Sequence, residues 1–78
     1  MRRADLVEAL QAAGRAHHEF ESVALGGERD ELWAGFYAAY VLGRLGDFAG
    51  PSALAARIEG VDGEPWAEAA ADAILASP

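Results

Sequence analysis

Residues 16–45 read AHHEFESVALGGERDELWAGFYAAYVLGRL, and the two halves of this stretch, split by Gly26-Gly27, decide the fold. On the N-terminal side Leu6, Leu10, Ala13, Phe20 and Ala24 recur at spacings of three, four or seven, with His17 filling the gap. That spacing draws one stripe along a helix from Ala4 to Leu25. The glycine pair ends it, because a glycine just past the last turn takes the left-handed conformation cheaply. Beyond the pair, Asp30 reads as an N-cap and Glu31 complements the helix dipole, which predicts a second helix from Glu31 to Leu45, stopped by Gly46. Its inward face is predicted as Leu32, Trp33, Phe36, Tyr37, Tyr40, Val41 and Leu45. The short connection makes the two helices an antiparallel hairpin.

Outward from this hairpin the pattern shortens. Pro51 suits the first position of a third helix reaching Glu59, with Leu54 and Ile58 as its core contacts. Pro65 opens a fourth helix to Ala76, where Trp66, Ala69, Ala70, Ala73 and Ile74 share a face. No segment alternates with period two, so no strand is expected. The expected fold is all-α: a small four-helix bundle, two longer helices as an antiparallel hairpin closed by two short ones, forming a single helical domain over residues 1–78. Within the second helix Gly35, Ala39 and Gly43 lie four apart. A helical glycine costs about 1 kcal/mol relative to alanine, so this pattern is read as tight packing, within the hairpin or between two hairpins, against Ala9, Ala12, Ala13 and Ala16.

The 78 residues suffice for one core, and a chain of this size buries only about 60% of the surface its unfolded form exposes. With no Cys there is neither a disulfide framework nor a thiolate metal site. A core this small supplies roughly 3–5 kcal/mol, which favours self-association, and a homodimer is expected. Thirteen acids against six basic residues leave a charge of −7, which disfavours nucleic acid and membrane surfaces. Asp5, Glu8 and Gln11 interrupt any signal-peptide core behind Arg2-Arg3, and no apolar run is long enough to span a membrane, so a cytoplasmic protein is expected. Nineteen Ala and nine Gly, with no Lys, Asn or Thr, fit the codon bias of a GC-rich bacterial genome.

Both histidines and two carboxylates crowd into His17-His18-Glu19-Phe20-Glu21. His17 and Glu21 are four apart on one helical face and could offer two ligands to a divalent ion, a third coming from Asp30, Glu31 or a second chain. Against that, His17 lies on the apolar stripe, where a hydrogen-bonded core histidine is the ordinary outcome. His18 reads as a solvated flank. Trp33, Phe36, Tyr37 and Tyr40 form an aromatic stripe that the hairpin brings beside His17 and Glu21. Such a set of imidazole, carboxylate and phenol suits either a satisfied network that fixes helix register or proton transfer. The candidate ligand-binding residues are therefore His17, Glu21, Trp33, Tyr37 and Tyr40. No serine sits in a nucleophile elbow and no glycine loop cradles phosphate, so no catalytic residue or cofactor is assigned and an enzyme is not the expected role. Arg15 with Glu19, and Arg44 with an acid on the first helix, are expected as ion pairs.

His17, Phe20-Glu21, Gly27, Asp30, Trp33 and the Phe36-Tyr37-Ala38-x-Tyr40 run together resemble a group of small uncharacterised bacterial helical proteins, over about a third of the chain. That resemblance implies no activity. It implies that the polar and aromatic residues are the family's centre. The expected role is a non-enzymatic protein-interaction or accessory module, and the alternative is a small ligand- or metal-binding protein with a His/Glu/Tyr pocket.

Overall fold

The computed structural model describes residues 1–76, which form four α-helices and no strands: α1 (Arg3–Val23), α2 (Trp33–Leu45), α3 (Pro51–Glu59) and α4 (Trp66–Ala76). The all-α fold follows the period of the sequence, while the ends of the helices follow local hydrogen bonds. Gly26 and Gly27 have φ of 63° and 89°, and the Gly27 N–H turns back onto the Glu21 carbonyl at 2.8 Å, so α1 stops at Val23. Asp30 does not cap α2 directly. Its Oδ1 accepts the Leu32 N–H at 2.9 Å, an Asx turn that holds residues 31 and 32 outside the helix and delays its start to Trp33. Pro51 stands in the first turn of α3. Pro65 lies just outside α4 and contributes its carbonyl to the Ala69 N–H at 3.0 Å.

α1 packs against α2 and α4, and α3 completes the ring by packing against the same two helices. The contacts of Glu8 with Arg44, Gly14 with Tyr37 and His17 with Phe36 climb α1 while descending α2, so these helices run in opposite directions. Leu6, Leu10, Val41, Leu54 and Ile58 are fully buried at the centre, each contributing about 1.5–3 kcal/mol by leaving water. Ala9, Ala13, Ala38, Ala70 and Ala71 fill the seams between them. At the surface, Arg44 reaches Glu8 at 3.0 Å and Arg3 reaches Asp72 at 2.6 Å, joining α1 to α2 and to α4. Arg15 and Glu19 form no ion pair; both are exposed, where such a pair gains little.

Two expectations about α2 are corrected. Its buried residues are Ala34, Ala38, Val41 and Leu42, of which Val41 was expected; Trp33, Tyr37 and Leu45 are half-buried and pack against the core as expected, while Phe36 and Tyr40 are half-buried beside it and Leu32 is 79% exposed. α2 packs against both α1 and α3, and the face it turns to them carries Ala34 and Ala38 together with Val41 and Leu42. The aromatics are left along the α1 side. Gly35, Ala39 and Gly43 lie one residue, about 100°, further round and are exposed. A Cβ added at Gly35 or Gly43 would meet nothing within 4 Å, so the small stripe serves no packing among the described residues. Likewise the apolar stripe of α1 is buried only as far as His17, since Phe20 is 37% exposed and Ala24 lies on the surface.

Among the described residues no helix is long and apolar enough to cross a membrane.

Candidate functional site

The last two turns of α1, the loop after it and the first turns of α2 meet around His17. Its side chain is 8% exposed and both ring nitrogens face carboxylates. Nε2 lies 3.0 Å from Asp30 Oδ2, and an ionised carboxylate can only accept, so Nε2–H donates. Nδ1 lies 3.7 Å from Glu21 Oε1, beyond hydrogen-bonding distance. The loop is closed from the other side as well, because Glu21 Oε2 accepts the backbone N–H of Asp30 at 2.8 Å. Asp30 therefore spends one oxygen on Leu32 and the other on His17, while its own amide is held by α1. No buried side-chain nitrogen or oxygen among the described residues lacks a partner.

Aromatic rings wall this polar ring of contacts. Phe36 meets the imidazole edge-on with centroids 5.0 Å apart, and Tyr37 lies 5.4 Å from it. Tyr37 also packs perpendicular to Trp33 at 5.5 Å, and Trp66 touches both, at 5.4 Å and 6.0 Å. The backbones of α2 and α4 do not come into contact, so these rings bridge the gap between them. The Trp66 indole N–H donates to the Val61 carbonyl at 3.2 Å, which fixes the ring's entry. Each such aromatic pair adds about 0.5–1.5 kcal/mol beyond its buried area. Gly14 admits the Tyr37 hydroxyl, which stands only 3.2 Å from where a Cβ at that position would lie. Burial, aided by the Glu21 carboxylate, pushes the Tyr37 phenol above its ordinary value.

His17, Glu21, Arg29, Asp30, Trp33 and Tyr37 line an open pocket of about 350 Å³, within the range of small-ligand sites. Four of the five candidate residues thus surround one opening. Tyr40 does not: it stacks on Phe36 at 6.5 Å and accepts a hydrogen bond from Arg44 at 3.4 Å, one turn away. His18 is exposed. Asp30 enters as the partner of His17 rather than as a helix cap, and Arg29 enters because the loop carries it to the rim. Nothing in the sequence marked Arg29. Trp66 lies 29 positions beyond Tyr37, with no local spacing to connect them. Among the described residues no group of three or more His, Cys, Asp or Glu is arranged to hold a metal ion, and Nε2 of His17 is committed to Asp30.

No family model, no curated protein and no solved structure matches this chain.

Proposed function

We propose that the chain is a non-enzymatic binding module whose pocket beside His17 takes a small polar ligand. The supporting observation is the convergence of His17, Glu21, Arg29 and Asp30 with the Trp33 and Tyr37 rings on one opening. Two aromatic rings beside four charged or ionisable side chains make this opening more polar than most small-molecule sites, which suits a polar ligand. Ser22 and Ser52 are exposed and stand outside the pocket, so neither is placed beside the imidazole as a nucleophile. A thermal-shift screen of small cationic, anionic and neutral compounds tests the reading. A ligand present at about a hundredfold over its Kd adds about 2.7 kcal/mol of stability. If no compound of any charge raises the melting temperature or shifts the His17 and Trp33 resonances, the pocket is only a surface dent.

A second reading, self-association, is favoured by α2. Two exposed helical glycines cost about 1 kcal/mol each, and among the described residues nothing stands within 4 Å of a Cβ at Gly35 or Gly43. Leu32, 79% exposed, lies at the head of the same stripe. A second copy meeting α2 along this stripe would use the close approach that glycine allows. With −7 on each chain, such a dimer should tighten as salt screens the repulsion. Sedimentation equilibrium decides it: a monomer at every concentration and salt level removes this reading. The proposal further places the module in the cytoplasm of a bacterial cell, on the strength of the sequence alone.

A further inference from the structure

Among the unspent polar atoms of the His17 pocket the acceptors gather on His17, Glu21 and Tyr37, while the Arg29 guanidinium and the Trp33 indole N–H are unspent donors. Asp30 has committed both oxygens, to the Leu32 amide and to His17 Nε2, and Glu21 has committed Oε2 to the Asp30 amide. Three acceptors remain. Glu21 Oε1 has only His17 Nδ1 near it, at 3.7 Å. In a neutral imidazole whose Nε2–H goes to Asp30, Nδ1 carries a lone pair. The Tyr37 hydroxyl has no hydrogen-bond partner among the described residues, and its ring forms a wall perpendicular to Trp33. A carboxylate oxygen, an imidazole nitrogen and a phenol oxygen between two aromatic rings make a receptor for a positively charged N–H donor, since ring faces attract cations and the carboxylate strengthens each hydrogen bond. The field of a chain carrying −7 also draws cations in and turns anions away.

We infer that the pocket receives an organic ammonium head group, held by Glu21 Oε1, His17 Nδ1 and the Tyr37 hydroxyl against the rings of Trp33 and Tyr37. This inference rests on the pocket reading and gives it a ligand class. Arg29 at the rim is the one cation lining the pocket and has no ion-pair partner among the described residues. It opposes the ligand at short range, so its removal strengthens binding.

The test is a titration of the full chain, followed by Trp fluorescence and by the Tyr37 and His17 resonances. The probes are n-butylammonium chloride, sodium butyrate and n-butanol, at an ionic strength held constant with KCl. Saturable shifts are expected with butylammonium alone. Glu21→Gln should weaken it on the order of tenfold while keeping an acceptor for the Asp30 amide, with folding checked by circular dichroism, and Arg29→Gln should tighten it. Tyr37→Phe should weaken it to a smaller degree, and it stands in if Glu21→Gln fails to fold. Binding of butyrate that weakens in Arg29→Gln would overturn the ammonium assignment and leave a ligand pocket standing. So would butanol binding that equals the cation's and ignores Glu21→Gln. If none of the three binds, or KCl alone reproduces the shifts, the pocket reading falls along with the assignment.

Discussion

Asp30 is the residue on which the loop closes, and substituting it separates two contributions. Asp30→Ala removes the acceptor for the Leu32 amide and the acceptor for a histidine whose side chain is 8% exposed. Losing a cap-like acceptor costs about 1 kcal/mol, and leaving the buried Nε2–H unsatisfied costs about 1–3 kcal/mol, so the total is about 2–4 kcal/mol. Against a fold of roughly 3–5 kcal/mol, that brings the chain to the edge of unfolding. Asp30→Asn behaves differently. Its carbonyl oxygen still accepts the Leu32 N–H, while its amide group now offers a proton to Nε2, and the imidazole must move its own proton to Nδ1, toward Glu21 Oε1. The expected cost is about 1 kcal/mol, the difference between a charged and a neutral hydrogen bond. The assays are urea denaturation for both variants and imidazole ¹⁵N shifts at mildly alkaline pH. The wild type should show the Nε2–H tautomer and Asp30→Asn the Nδ1–H tautomer. A wild-type ring protonated at Nδ1, or an Asp30→Ala variant as stable as the parent, refutes the reasoning.

Gly35→Ala and Gly43→Ala should each stabilise the monomer by about 0.5–1 kcal/mol in urea denaturation, because a Cβ meets nothing there. If α2 joins two copies, the same changes should loosen the dimer in sedimentation. Leu54→Ala should cost about 2–5 kcal/mol and leave little folded protein by circular dichroism, since Leu54 is fully buried. Folding raises the Tyr37 phenol, so its stabilising share is intact below the unfolded tyrosine value and is lost as pH rises through the folded one. Tyr37→Phe should therefore shift the alkaline limb of the stability profile upward. Arg3 holds the Asp72 carboxyl below the usual carboxylate range, chiefly through their hydrogen bond. That increment is present above the unfolded carboxylate value and disappears as pH falls through the folded one, so Arg3→Gln should flatten the acid limb of the melting-temperature profile.

The helices were legible because each carries a period and a stop: Gly26-Gly27, Gly46 and Pro51 punctuate the chain where the structure does. The inward face of α2 was legible only in part, in Val41 and the half-buried Trp33, Tyr37 and Leu45. Periodicity ranks residues by hydrophobicity and so favoured Trp33, Phe36 and Tyr37 over Ala34 and Ala38, whereas the face packed between α1 and α3 carries those two alanines beside Val41 and Leu42. The neighbourhood of His17, Glu21, Trp33 and Tyr37 followed from helical spacing plus the expected hairpin, and Arg44 found an acid on α1 for the same reason. The roles of Asp30 and Arg29 depended on how the loop folds back, which side-chain hydrogen bonds decide. Trp66 depended on where α4 crosses, and no local pattern carries that information.

The hold of Glu21 on the Asp30 amide, followed by that of Asp30 on the Leu32 amide, gives the loop two N–H groups anchored by side chains, beyond the backbone bonds of Gly27 and Glu28. In deuterated water those two protons should be released only when the end of α1 itself opens, while those of Arg29 and Glu31 wash out early. The loop and the last turn of the first helix would then come apart as one cooperative unit, and anything seated beside the imidazole would slow that opening.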